Sequence, residues 1–479
     1  MPPGTLAQRD APSGARGTDA CASPVSFTAA AVRLARMVRS DVAEAMAARM
    51  PAAERAPSSP DELSGPMLAR MFAERCLDHH AARLIGAGEE PPCRDDEVAA
   101  VELVVAMLFG LGLLQPLIDD PSVENIDVNG AGRAFVTYGD GRKEMLGPVA
   151  ESDEELVSMI RSAAARFGLA ERRFDTAQPE LDLRLPDGSR LSAVMGVTAA
   201  PVVDIRRHRL KDYCLGDLVD LGMLDEEMAA FLAAAVRAKR NILVSGAMNA
   251  GKTTLLRALA AEIPPAERIV TIEQALELGL EHQAELHPDC VAMEVRPPNI
   301  EGVGAISMAQ LVRRSLRMNA SRVIVGEVLG DEVIPMLNAM SQGRSGSMGT
   351  IHADSSAGVF RRLAAYAVQA PERLPIEATN LLIAGAIHFV AHVDISEGAP
   401  QSCTGHFSET ASLVERRRQL TSVREIVDAE GQFIISNELF RPSPDGHAKR
   451  AAPLRQQTAA LLAAHGYTAG HEPLGGPAW

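Results

Sequence analysis

Residues 246–253 read Gly-Ala-Met-Asn-Ala-Gly-Lys-Thr, the pattern G-x-x-x-x-G-K-[ST] without a gap. The chemistry follows from that spacing. Glycines let a backbone wrap an anion, so that successive N–H groups and a helix N-terminus converge on it. Lys252 can then reach the β- and γ-phosphates of a nucleotide, and the Thr253 hydroxyl is placed to ligate Mg²⁺. A glycine-rich turn with no ligand would leave the Lys and the Thr unexplained. The expected binding set for ATP and Mg²⁺ is therefore Gly246, Ala247, Met248, Asn249, Ala250, Gly251, Lys252, Thr253 and Thr254. Asn249 stands where related loops often carry Gly, and Asn tolerates a left-handed backbone better than most residues.

Hydrolysis of a bound triphosphate needs a group that orients water beside the γ-phosphate. In a parallel sheet such groups belong at the C-terminal ends of the strands next to the loop. Glu273 follows the apolar run 268–272 and Glu327 follows 323–326, so both are expected to face the phosphates. The metal-orienting Asp usual on the second strand is missing, and Gly326 takes its place. Downstream, a small-residue loop from Gly343 runs into a short strand that ends in His352. A histidine there can donate to a phosphate oxygen and register the γ-phosphate. The expected catalytic residues are Lys252, Glu273, Glu327 and His352.

These residues need a scaffold. Residues 241–245, 268–272 and 322–325 are short apolar runs separated by helical patterns, which predicts an α/β domain with a parallel central sheet. Upstream, 122–128 and 133–138 read as strands around Asn129-Gly130, 153–167 as a helix, and 181–185 with 190–195 as a hairpin around Pro186-Asp187-Gly188. Helical spacing covers about 27–50, 61–85 and 95–109. The expected organisation is a disordered tail 1–27, a helical module 28–108, an α+β domain 109–207, a linker 208–217, the ATPase domain 218–396 and a C-terminal region 397–479. That last region is expected to hold a hairpin (419–427 with 433–440) and a helix near 454–464.

The 479 residues suffice for two or three domains. A formal charge of −15 argues against direct nucleic-acid binding as the main task. The six cysteines form no C-x-x-C pair, so neither zinc nor a disulfide framework is expected. The apolar stretches 103–118 and 378–393 are too short to span a bilayer and read as buried helix or strand. With no apolar signal core at the N-terminus, a cytoplasmic location is expected.

Several ordered blocks together resemble the ATPases of the type II/type IV secretion superfamily, and look closest to the CpaF/TadA-like branch of Flp (Tad) pilus assembly. They are Asn241-Ile-Leu-Val-Ser-Gly, the phosphate loop, Ile269-Val-Thr-Ile-Glu273, Leu311-Val-Arg-Arg-Ser-Leu-Arg317-Met, Val325-Gly-Glu-Val328 and Gly349-Thr-Ile-His352-Ala. Upstream, Glu124-Asn-Ile-Asp-Val-Asn-Gly130 and Asp182-Leu-Arg-Leu-Pro-Asp-Gly-Ser-Arg190 fit the same branch. The resemblance implies a RecA-like P-loop NTPase domain preceded by a smaller α+β, PAS-like domain. It also implies a homo-hexamer with nucleotide in the cleft between the two, at the inner face of the cytoplasmic membrane, working through an inner-membrane platform protein.

By position, Glu273 would be the acid of the family's Asp box, Glu327 that of its Walker B segment and His352 the second histidine of its His box. Arg184, Arg190 and Arg206 match arginines that reach the phosphates, a task suited to a planar bidentate fork. Four positions depart from the pattern: Gln274, Leu329, Arg344 and Asn319-Ala320. The expected function is thus an ATP-hydrolysing motor for pilus assembly or protein secretion. The alternatives are a nucleotide-binding scaffold with little turnover and a conjugative type IV motor. A small-molecule kinase suits the chain less, since it offers no recognisable acceptor pocket.

Overall fold

The computed structural model describes residues 27–49, 64–139, 141–168, 173–207, 213–299, 301–343, 345–397, 416–443 and 448–468. Residues 1–26 of the expected tail 1–27, residues 208–212 of the expected linker 208–217, and Arg344 lie outside them. The chain forms two compact units. One ends at Val123 and includes Val149–Glu151; the other takes Glu124–Pro148 and continues from Ser152.

The first unit is helical: α1 (Ala29–Arg49), α2 (Gly65–Ala87), α3 (Arg94–Phe109) and the short α4 (Gln115–Asp119). Val38, Val42 and Met46 recur at intervals of four on α1, as do Ala69, Ala73 and Leu77 on α2, and both stripes pack into one core with Leu103 and Val104 of α3. The small residues of α2 leave room for close helix approach. Cys93 caps α3 by accepting from the Asp96 amide at 3.4 Å, and Asp95, Asp96 and Glu97 fill its first turn, where the helix dipole favours acids. Phe109 and Leu113 pack on this core. The unit therefore runs to Val123, past the boundary expected at 108.

The second unit opens with a six-stranded antiparallel sheet made of β1 (Val123–Asn129), β2 (Ala134–Tyr138), β3 (Lys143–Leu146), β4 (Glu180–Arg184), β5 (Arg190–Val194) and β6 (Val202–Arg206). Their order is β3-β2-β1-β6-β5-β4. Helix α5 (Asp153–Phe167) accompanies it; Ser152 accepts from the Glu155 amide at 3.2 Å, and Asp153 accepts from Ala131 N at 2.8 Å, tying the helix start to the turn after β1.

The nucleotide-binding sheet follows. Helices α6 (Leu215–Asp220) and α7 (Glu226–Arg237) lead to β7 (Ile242–Gly246), α8 (Lys252–Ala260), β8 (Ile269–Glu273), β9 (Cys290–Glu294), α9 (Met308–Ser315) and β10 (Arg322–Val328). Then come α10 (Val333–Ser341), β11 (Met348–His352), α11 (Gly358–Gln369), α12 (Ile376–Ala386) and β12 (Phe389–Glu397). The chain closes with β13 (Arg416–Glu430), β14 (Phe433–Pro442), β15 (Ala448–Arg450) and α13 (Gln456–Ala463). The strand order is β15-β14-β13-β12-β7-β11-β10-β8-β9. From β12 to β9 neighbouring strands are parallel; β13, β14 and β15 are added antiparallel.

Alternation along each strand builds the two cores. Ile242 and Val244 of β7 join one cluster with α7, α8 and Leu462 of α13, while Leu243 joins the other with α9 to α12. This is the expected RecA-like α/β domain with a parallel centre. Three expectations change. The linker is shorter than 208–217, because Asp217 accepts from the Cys214 amide at 2.7 Å and starts α6 at Leu215. Residues 378–393 are neither all helix nor all strand but the end of α12 followed by β12. The C-terminal hairpin is part of the nucleotide-binding sheet, since β13 pairs with β12 from Phe389↔Glu425 to Glu397↔Arg416. Among the described residues no single helix is long and apolar enough to cross a membrane, although α3 and the segment Gly112–Asp119 pass that test together as a pair bent by 115°.

Candidate nucleotide site

Strand β7 is buried along its whole length and delivers its last residue, Gly246, to the phosphate loop. A Cβ at Gly246 would lie 2.3 Å from the Val393 carbonyl oxygen of β12, so no larger residue fits there. Gly251, at φ 96, turns the chain into α8, whose first residue is Lys252. Asn249 adopts φ 58, the left-handed conformation expected of a Gly substitute. Residues 247–251 thus form the loop that joins the end of β7 to the amino end of α8.

Lys252 is 7% exposed. Its Nζ donates to the Ala247 carbonyl at 2.9 Å and to His352 Nδ1 at 3.0 Å. His352 Nε2 in turn lies 2.7 Å from Glu327 Oε1. An ammonium can only donate, so Nδ1 accepts, the ring proton sits on Nε2, and the histidine donates to the carboxylate. One chain of hydrogen bonds therefore joins the loop lysine, the end of β11 and the end of β10. Strand register explains how: His352 pairs with Gly246, and β10 lies on the other side of β11. Burial lowers the Lys252 pKa and Arg206 acts the same way, against the opposing pull of Glu327 and Glu277. The Thr253 side chain makes no hydrogen bond to protein among the described residues and is partly exposed, so its hydroxyl is open to a metal ligand role.

Glu273 lies apart from this chain. Its carboxylate is 2% exposed and accepts from Thr271 Oγ1 at 3.0 Å and from the amides of Glu277 and Leu278 at 2.7 and 2.8 Å. Burial pushes its pKa up to about 7, against the three hydrogen bonds that favour the ionised form. The expectation that it faces the phosphates is replaced by an anchoring of the loop behind it. Gly326 explains the missing acid on β10: a Cβ there would come within 2.9 Å of Glu273 Cγ.

Arg184, Arg190 and Arg206 occupy one row across the antiparallel sheet, paired Arg184↔Arg190 and Arg190↔Arg206. Directly paired residues share a face, so the three guanidinium groups stand on the same side. Arg190 donates to the Ala275 carbonyl at 2.9 Å and pairs with Glu277 at 3.2 Å. Arg206 donates to Asn249 Oδ1 at 3.1 Å. Two of the three expected phosphate arginines thus reach the nucleotide domain, one at the loop anchored by Glu273 and one at the phosphate loop itself.

Two residues at the site carry no sequence signal. Arg418 of β13 donates from Nε to the Asn249 carbonyl at 2.9 Å, and Ser245 Oγ lies 2.9 Å from His392 Nδ1 beneath the loop. Alignment of β12 with β7 was the one clue that could have found the latter, since His392 pairs with Ser245. Of the departures, Asn319 takes φ 53, which Asn accepts, and Leu329 is 44% exposed beside the Glu327 strand end.

A glycine-rich loop between a buried parallel strand and a helix, with a buried lysine and a strand-end acid, defines a P-loop nucleoside-triphosphatase. Its family is identified by comparison with known proteins: the profile of the type II/IV secretion system proteins matches residues 109–443. The chain belongs to that family and is one of its ATPases. A putative conjugal transfer protein of Mycobacterium tuberculosis is 35% identical over 309 residues, 62% of this chain and 84% of the relative. The type IV secretion system protein VirB11 of Brucella suis is 29% identical over 342 residues, 65% of this chain and 91% of that one. Among solved structures, the Legionella pneumophila ATPase DotB aligns over 66% of this chain and 81% of its own, at 18% identity and a TM-score of 0.46.

Proposed function

We propose that the chain works as a Mg²⁺-dependent homo-hexameric ATPase motor of a pilus-assembly or secretion machine of the CpaF/TadA type. It would act at the inner face of the cytoplasmic membrane, through a platform protein embedded there. In this reading the amides of 247–254 and Lys252 would hold the triphosphate, and the Thr253 hydroxyl would hold Mg²⁺, which would supply positive charge to offset that of the phosphates. Glu327 takes a proton or orients water at the γ-phosphate. His352 links it to Lys252, so that a phosphate drawing on the lysine alters the histidine's second bond and the acid's freedom. Glu273 holds the loop that receives Arg190, and Arg206 meets the phosphate loop from the smaller sheet.

The observation that carries this reading is the Lys252–His352–Glu327 chain, with contacts of 3.0 and 2.7 Å. The test is phosphate release by the purified oligomer with Mg²⁺. Lys252→Ala should abolish it, and Glu327→Gln should cut it by two orders of magnitude or more, on the scale of general base loss. Full turnover by Lys252→Ala would reject the reading; wild-type turnover equal to Glu327→Gln would favour the scaffold instead. The mycobacterial relative supports a conjugative type IV motor as the second reading.

A further inference from the structure

The phosphate loop is gripped from outside at a single residue. Arg418 Nε donates to the main-chain oxygen of Asn249 at 2.9 Å, while Arg206 Nη2 donates to its side-chain oxygen at 3.1 Å. Arg418 comes from β13, 169 residues away in sequence, and Arg206 from the separate antiparallel sheet. The stem of Arg418 lies along the loop as well, its Cδ 3.5 Å from where a Cβ of Gly251 would stand.

The peptide that Arg418 holds matters for phosphate binding. A trans peptide is planar, with its carbonyl and its N–H pointing in opposite directions. Fixing the Asn249 carbonyl toward Arg418 therefore turns the Ala250 amide toward the inside of the loop. There it donates to the Ala247 carbonyl at a long 3.4 Å, and the same carbonyl accepts from Lys252 Nζ at 2.9 Å. These are two inward donors on one acceptor, the arrangement an anionic phosphate oxygen can take over. An asparagine at φ 58 has an alternative open to it that a helical residue lacks, namely relaxing its flanking peptides toward the commoner region. An outside hydrogen bond from a charged donor holds it in place.

We propose that Arg418 is a positioning residue of the nucleotide site: it orients the Asn249–Ala250 peptide so that the Ala250 amide faces the β-phosphate. The C-terminal hairpin thereby contributes to nucleotide affinity, a contribution that acts on ATP and ADP alike because both carry that phosphate. This rests on the nucleotide site described above.

Titration of the full-length protein with fluorescent ATP and ADP analogues tests it. Arg418→Met keeps the stem beside Gly251 and removes the donor; it should weaken both ligands about tenfold, the worth of one hydrogen bond from a charged group. Arg418→Lys, which can still donate to the carbonyl, should recover to within about threefold of wild type. In turnover assays Arg418→Met should raise KM with kcat within about twofold, as loss of uniform binding does. Arg206→Met and Asn249→Gly should combine to less than the sum of their separate effects, because they remove one and the same bond. An unchanged affinity in Arg418→Met with a wild-type unfolding midpoint overturns the proposal, as does a loss in kcat alone. Absence of nucleotide binding by the wild type would instead overturn the nucleotide-site reading beneath it.

Discussion

Substituting Gly326 by Ala puts a methyl group where Glu273 already is. The added Cβ would stand 2.9 Å from Glu273 Cγ and 3.6 Å from its Oε2. The strand is held on either side of the glycine, since Val325 pairs with both β8 and β11 and Val328 pairs again with β11. The carboxylate must then shift, and it holds Thr271 Oγ1 and the amides of Glu277 and Leu278 at 3.0, 2.7 and 2.8 Å. Overpacking costs about 1–3 kcal/mol and each strained buried hydrogen bond about 1 kcal/mol, so roughly 2–5 kcal/mol is expected. Gly326→Asp should be worse, although it restores the acid usual at this position, since it sets a second carboxylate against a buried one. Urea unfolding followed by circular dichroism, beside phosphate release, measures both effects. An unfolding midpoint equal to wild type for Gly326→Ala would refute the steric reasoning. A Gly326→Asp variant that turns over faster at undiminished stability would refute the placement of Glu273.

Two further outcomes follow from buried groups. The Glu273 carboxyl, raised by burial from 4.5 to about 7, keeps in the folded chain a proton that the unfolded chain releases from about pH 4.5 upward. Its favourable contribution is complete below about pH 4.5 and is lost as pH rises to 7, by roughly 3 kcal/mol. Wild type should therefore lose stability relative to Glu273→Gln between pH 5 and 8 in urea titrations, and a pH-independent difference would contradict it. Asn241, 0% exposed, donates to the carbonyls of Met340 and Ala386 and accepts from the amides of Gly346 and Ser347 at 3.1, 2.5, 2.8 and 2.9 Å. Asn241→Leu strands these groups at about 1–3 kcal/mol each, so thermal denaturation should show a fall of several kcal/mol, and a loss below 1 kcal/mol would disprove the hub.

The nucleotide-binding core was legible in the sequence because each signal there is local. The phosphate loop is announced by its own residue spacing, a run such as 241–245 is apolar on both faces, and an acid after such a run must lie at a strand end. Residues 153–167 read as a helix for the same reason, with Ser before three acids and Gly after it. What escaped depends on partners far along the chain. Strand β9 is short and only half-buried, and β6 is a five-residue run whose place beside β1 is set by pairing from Asn125↔Arg206 to Asn129↔Val202. The orientation of Glu273 is decided by amides four and five residues on and by the space left at Gly326. Arg418 bonds a main-chain oxygen, which every residue type possesses, so no residue pattern can announce it.

The row Arg184, Arg190, Arg206 has a consequence for the small sheet itself. Cross-strand neighbours have Cα atoms about 4.5–5.5 Å apart, a separation at which like charges repel. Glu277 pairs with Arg190, the middle one of the three, at 3.2 Å. Repulsion along the row is set against the carboxylates of Asp182 and Asp204, which stand two residues along the same strands and therefore on the same face. An anion bound along the row would be linked to folding of the sheet, each favouring the other by the same amount of free energy.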